Sequence, residues 1–252
     1  MRDRTPLVLL HGFTNTGLSW QPVIAALGES YLPIAPDIRG HGRAGEARPV
    51  TLQAVLADIA ALCEGRFALA GYSMGGRIAL HAALALGERL ASLTLIGASP
   101  GIEDPAERAA RRRADERLAA ELEQLEIDAL ARRWERTPVL ADQPPAVRAA
   151  AHADRLRNTP AGLARALRGL GTGALPSLWG RLAEVRVPTL LIAGGRDAKF
   201  SQLAREMASR LPRAQVAILA GVGHAAHLEA PEEVARLLRR HGHGRDGRPQ
   251  RS

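Results

Sequence analysis

The chain has 252 residues, 46% of them hydrophobic, which suits one α/β domain with an inserted segment and excludes general disorder. The net charge is +8, but residues 239–252, "RRHGHGRDGRPQRS", hold five Arg against one Asp and supply half of that excess. The basic side chains are almost all Arg, with Lys199 the single Lys, so the charge reads as compositional bias and not as a nucleic-acid footprint.

Cys63 is the only cysteine, so an intrachain disulfide or a cysteine-rich metal site is impossible. No run approaches the roughly 18 apolar residues of a membrane span, and the apolar run before His11 is too short for a signal-peptide core. No stable membrane insertion is expected, and the expected location is cytoplasmic.

Short apolar runs alternate with amphipathic stretches. "LVLLHG" (7–12), "YLPIAPD" (31–37), "FALAGYS" (67–73) and "LTLIGAS" (93–99) read as buried strands, each running into a polar or glycine-bearing loop. Between them "WQPVIAALGE", "LQAVLADIAALCE" and "GRIALHAALALGERL" carry helical spacing. This alternation predicts an α/β fold, a parallel sheet covered by helices on both faces. Residues 101–180 break the rhythm. Arg, Glu, Ala and Leu recur there at helical spacing with no convincing strand, which predicts a helical insertion after the fourth strand. The sheet resumes with "TLLIAGGRD" (189–197) and "QVAILAGVGH" (215–224), with the helical "LAREMASRL" between them. The expected division is a core of residues 1–100 and 181–240, a helical lid of 101–180 placed over Ser73, and a disordered basic tail of 241–252.

The stretch "LAGYSMGGRI" places Gly71-x-Ser73-x-Gly75 directly after a strand and before a helix, the pattern of a nucleophile elbow. A serine there must adopt a strained backbone to push its hydroxyl beyond the sheet edge. Side chains two positions before and after it would collide with the turn. The hydroxyl needs an imidazole to take its proton. His224, just after the last strand, is the best placed; His227 is its rival, and His241 and His243 fall in the tail. The imidazole needs a carboxylate to fix its tautomer. Asp197 ends the fifth strand, with Asp104 as a substitute and Asp37 assigned to bracing its own loop. The order Ser73, Asp197, His224 is that of hydrolases built on such a sheet. In "HGF" (11–13) the Phe13 backbone N–H, with that of Met74, is expected to form an oxyanion hole, and His11 to shape the loop.

These motifs resemble the α/β-hydrolase superfamily over nearly the whole chain. The first strand already carries the HG loop, so the hairpin that often opens that fold is missing, and about six mostly parallel strands are expected instead of eight. Three features resemble more narrowly the 2-succinyl-6-hydroxy-2,4-cyclohexadiene-1-carboxylate synthases of menaquinone biosynthesis. They are Arg77 in "GYSMGGR"; the lid text "SPGIEDPAERAARRRADERLAAELE", "RRWERTPVL" and "RLRNTPAGLARALRGLGTG"; and Lys199 and Phe200 in "GGRDAKF".

The resemblance implies a lyase working through a hydrolase triad. Ser73, activated by His224, would remove a ring proton from 2-succinyl-5-enolpyruvyl-6-hydroxy-3-cyclohexene-1-carboxylate. The oxyanion hole would hold the charge that spreads to the succinyl ketone oxygen, and pyruvate would leave. No metal and no organic cofactor are implied. The implied partner is a small polycarboxylate, which suits planar two-pronged guanidinium donors. Arg77, Arg111 (or its neighbours Arg112 and Arg113) and Arg157 are the implied anion-binding residues. Trp134 would wall the cavity, and Tyr72 would contribute a hydroxyl. The alternative is a carboxylesterase or C–C bond hydrolase acting on a small acidic substrate. Nothing in the sequence sets the oligomeric state.

Overall fold

The structure, a computed structural model, describes residues 4–243. In chain order the elements are β1 (Pro6–Leu10), α1 (Gln21–Leu27), β2 (Leu32–Ile34), α2 (Leu52–Ala61), β3 (Phe67–Tyr72), α3 (Met74–Ala85) and β4 (Leu90–Ile96). Four helices follow, α4 (Pro105–Leu122), α5 (Ile127–Glu135), α6 (Pro145–Arg155) and α7 (Pro160–Leu170). The chain then returns through β5 (Thr189–Gly194), α8 (Ala198–Arg210), β6 (Ala214–Leu219), α9 (Ala226–Glu229) and α10 (Pro231–His243).

The six strands form one sheet in the order β2-β1-β3-β4-β5-β6, and every pair is parallel. Side chains alternate between the two faces of a strand, and here both faces are buried. Val8, Leu10, Phe67, Leu69, Leu191 and Ala193 enter one core, with Val55 and Ile59 of α2, Ile78 of α3 and Met207 of α8. Leu7, Leu9, Ala68, Ala70, Leu190 and Ile192 enter the other, with Val23 and Leu27 of α1 and Val234 and Leu238 of α10. The near-continuous apolar strands of the sequence thus reflect burial on two sides.

The sheet puts every strand's carboxyl end on one edge. Strand order reverses between β1 and β3, where such sheets open a crevice. The insertion α4–α7 carries its own small core of Ala119, Leu122, Leu130, Leu163 and Leu167, and its Arg111, Trp134 and Leu167 line one cavity with Ser73. Asp104 caps α4, accepting the Glu107 N–H at 2.7 Å, and Thr159 caps α7, accepting the Gly162 N–H at 3.1 Å. The end of α6 is riveted to the loop after β1. Asp154 accepts the Thr16 N–H at 2.9 Å, and Asn158 donates to the Thr14 carbonyl at 2.8 Å.

One boundary differs from expectation. The tail was expected to begin at 241, but α10 continues to His243, and the His241 Nε2 lies 3.1 Å from the Pro188 carbonyl. That contact holds the final turn against the sheet. Residues 244–252 of the expected tail lie outside the described residues.

Candidate active site

Ser73 sits between β3 and α3 with φ 50 and ψ −109, a backbone conformation that L-residues rarely adopt. Its N–H donates to the Ile96 carbonyl at 2.8 Å, which anchors the turn to β4. The flanking glycines are steric requirements. A Cβ on Gly71 would lie 2.3 Å from the Gly75 carbonyl oxygen, and one on Gly75 would lie 2.3 Å from that of Leu10.

Three strand ends then converge. The His224 Nε2 is 3.3 Å from the Ser73 Oγ, and its Nδ1 is 2.6 Å from the Asp197 Oδ2. The other Asp197 oxygen accepts the Phe200 N–H at 3.2 Å, so the N-terminus of α8 holds the carboxylate in place. The side chains of His224 and Asp197 are buried, which strengthens the short bond between them. The rivals stand outside this relay. Asp104 is a helix cap, and Asp37 braces its loop by accepting the Gly17 and Arg43 N–H groups at 2.7 and 2.9 Å. His227 is fully buried between Tyr72 and Trp20, and burial depresses its pKa to about 3. His11 accepts the Ile38 N–H at 2.9 Å, and burial lowers its pKa too; it shapes the loop.

The triad opens into a cavity of about 900 Å³, whose lining includes Phe13, Ser73, Met74, Arg77, Arg111 and Trp134. The Phe13 and Met74 backbone N–H groups have no acceptor among the described residues, and Met74 opens helix α3, whose dipole favours negative charge there. Arg77 is buried, its Nε has no hydrogen-bond partner, and it forms no ion pair among the described residues. Burial and then the charge of Arg111 bring its pKa down to about 10, against the opposing influence of Asp115. Below it, burial and the charges of Arg77 and Arg181 hold His81 down to about 4. Arg111 reaches the cavity while its Nε donates to Asp115 at 2.7 Å; Arg112 and Arg113 do not line it. Trp134 meets Phe13 edge-on with centroids 4.9 Å apart. Lys199 and Phe200 also line the cavity, and the Phe200 ring centroid is 4.5 Å from that of His224.

A second cavity of about 60 Å³ lies behind the nucleophile, bounded by Tyr72, Ser73, Gln143, Arg155 and His224 among others. Tyr72 belongs to this cavity and not to the larger one, and burial raises its pKa. Arg157 needs correction: it is exposed and lines neither cavity. The inward residue is Arg155, only 2% exposed, which sequence reasoning missed. The signal was available in helical phase. Val147, Ala151 and Arg155 are spaced four apart and share one inward stripe, whereas Arg157 lies past the helix end.

Comparisons with known proteins agree with this architecture. Residues 7–237 match the alpha/beta hydrolase family. A Bacillus subtilis (strain 168) protein, provisionally named 2-succinyl-6-hydroxy-2,4-cyclohexadiene-1-carboxylate synthase, is 35% identical over 92% of this chain and 88% of its own. The synthase of that name from Salmonella schwarzengrund (strain CVM19633) is 33% identical over 92% of this chain and 93% of its own. Among solved structures, MenH from S. aureus superposes with a TM-score of 0.88 at 31% identity, covering 93% of this chain and 91% of that one. A thermophilic esterase from Thermogutta terrifontis, solved with malate bound, gives 0.81 at 26% identity, covering 93% and 88%. With its elbow, its parallel sheet and its match over residues 7–237, this chain belongs to the α/β-hydrolase family.

Proposed function

We propose that this protein is a carbon–oxygen lyase. It eliminates pyruvate from 2-succinyl-5-enolpyruvyl-6-hydroxy-3-cyclohexene-1-carboxylate to give 2-succinyl-6-hydroxy-2,4-cyclohexadiene-1-carboxylate, the product named in the synthases it resembles. The observation that carries the reading is Arg77, a buried guanidinium without an ion-pair partner in the cavity that holds Ser73 and His224. Burying an unpaired cation costs several kcal/mol, and an anionic substrate repays that cost on binding. A neutral ester does not.

In this reading His224 takes the Ser73 proton, and the Ser73 oxygen removes the ring proton beside the succinyl ketone. The C–H electron pair moves towards the ketone oxygen, where the Phe13 and Met74 N–H groups stabilise it. The pair then passes through the ring double bond and breaks the C–O bond to the enolpyruvyl group, which departs and becomes pyruvate. Asp197 holds the His224 tautomer and stabilises its charged form. Arg77, Arg111 and Arg155 bind substrate carboxylates, Trp134 walls the larger cavity and Tyr72 borders the smaller one. Every step uses side chains and backbone of this chain, and the partner is a small polycarboxylate.

Residues 101–180 act as the lid, with α4 and α7 over the larger cavity and α6 pinned to the core. A cytoplasmic location completes the reading. It is supported by the enzyme class; among the described residues no helix is long and apolar enough to cross a membrane.

The test is a direct comparison of rates. Purified protein is expected to release pyruvate from the succinyl-enolpyruvyl substrate with kcat/KM at least about 10³-fold above that for p-nitrophenyl acetate. The reverse ranking supports the esterase alternative, for which the same triad suffices.

A further inference from the structure

Arg155 is held loosely for a buried cation. Its Nε donates to the Thr14 Oγ1 at 3.3 Å, and its Nη1, itself buried, has no hydrogen bond among the described residues. The neighbouring Asp154 is taken up by Thr16 and Asn15. The carboxylate that answers the Arg155 charge is Glu135, at the end of α5, whose Oε1 stands 3.7 Å from the Nη1. That separation keeps the Coulomb attraction but is too long for a hydrogen bond. Burial lowers the pKa of Arg155, and Glu135 is the largest influence opposing it.

Glu135 does not close the gap because His152 holds it from the other side. The His152 Nδ1 is 2.5 Å from the same Glu135 Oε1, and its Nε2 is 3.1 Å from the Asp128 Oδ1. Asp128 in turn pairs with Arg132. A line of alternating partners therefore runs from the outer face of the lid through α5 and α6 to the small cavity behind Ser73. Were Glu135 released, a shift of about 0.8 Å would bring its oxygen to the roughly 2.9 Å of an ordinary charged hydrogen bond. It would then tie up the Nη1 and draw on the guanidinium that lines the small cavity.

We propose that Glu135 and His152 are positioning residues for Arg155: Glu135 supplies the counter-charge at arm's length, and His152 restrains it so that the guanidinium lining the small cavity stays available to a substrate carboxylate. This rests on the function proposed above, in which Arg155 meets an anion. It assigns roles to two lid residues that touch neither cavity.

The consequence is a dependence between the two sites that simple structural support would not produce. His152→Ala frees Glu135 to compete with substrate, so KM rises about fivefold while kcat stays within about twofold. Glu135→Gln removes the competing charge and lowers KM about twofold. In the Glu135→Gln background, His152→Ala changes KM by less than about 1.5-fold. His152→Asn, which keeps a donor near the Nδ1 position, restores KM to near the wild-type value.

The same four proteins and the Asn variant are titrated with pyruvate by tryptophan fluorescence, since Trp134 borders the small cavity. Pyruvate affinity is expected to follow the same order. An unchanged KM and pyruvate affinity in His152→Ala, or an equal loss with and without the Glu135 charge, overturns the proposal. If the wild type releases no pyruvate from the cyclohexene substrate, the proposed function fails, while the pyruvate titration still decides the roles of Glu135 and His152. Should His152→Ala not fold, Glu135→Gln alone decides: a weaker affinity for pyruvate there overturns the proposal.

Discussion

The two walls of the large cavity are built on different principles. The core wall brings Ser73, Asp197 and His224 together from the carboxyl ends of three parallel strands. The wall of inserted helices contributes Arg111 from α4 and Trp134 from α5, with Arg155 of α6 behind. On the core side, the sheet fixes where a side chain goes. On the helical side, the phase of each helix decides it, and an error of one or two residues turns a side chain from the cavity to solvent. The charges differ in the same way. Arg77 of the core wall has no ion-pair partner among the described residues, whereas Arg111 is bonded to Asp115 and Arg155 has Glu135 nearby. In the proposed function the core wall breaks bonds, and substrate carboxylates are met from both walls, by Arg77 on one and by Arg111 and Arg155 on the other.

The largest expected effect breaks the core wall. Ser73→Ala should lower kcat for pyruvate release by about 10³-fold or more, with KM changed less than about threefold. A loss below tenfold would move the base away from the hydroxyl and onto His224 itself. The protein should remain folded, because among the described residues the Ser73 side chain makes no hydrogen bond other than the one to His224.

A second substitution separates the charge of the core wall from its stability. Arg77→Met removes a buried guanidinium with an unsatisfied Nε and leaves an apolar side chain of similar length. The kcat/KM for the polycarboxylate substrate should fall by about 10²-fold. The melting temperature should rise by about 2–4 °C, corresponding to about 1 kcal/mol, because an unpaired buried charge is replaced by packing. A fall in both would mean that Arg77 is a structural residue with partners of its own. For comparison, Arg111→Ala should cost activity without any gain in stability, since it takes away the guanidinium bonded to the buried Asp115 carboxylate and leaves that carboxylate the Gly173 N–H.

How far the sequence could be read follows from the same contrast. The elbow was legible because a strained turn leaves its mark in Gly71 and Gly75, each facing backbone that excludes a Cβ. The triad was legible because chain order along a parallel sheet maps onto spatial order at its carboxyl edge. The inserted helices were legible as a block, from their spacing and their lack of strands. Their inward faces were harder. Arg111 is separated from Arg112 and Arg113 by its bond to the buried Asp115, which the sequence does not mark, because Arg112 has Glu116 at the same spacing. The line Asp128, His152, Glu135, Arg155 had no local signal, because its members come from two helices.

The smallest effect is the most pointed comparison, since it sets two arginines of one short stretch against each other. Arg155 faces the small cavity and Arg157 faces solvent, although only Leu156 separates them. Arg155→Ala should raise KM for the cyclohexene substrate by about tenfold, the cost of a lost charged hydrogen bond, with a smaller change in kcat. Arg157→Ala should leave both constants within about 1.5-fold, because an exposed charge well away from the ligand is screened by water and salt. Raising the ionic strength should narrow the gap between wild type and Arg157→Ala but leave that between wild type and Arg155→Ala, since buried pairs are screened far less. If the two substitutions cost the same, the helical phase assigned to α6 is wrong, and with it the proposed contact between α6 and the substrate.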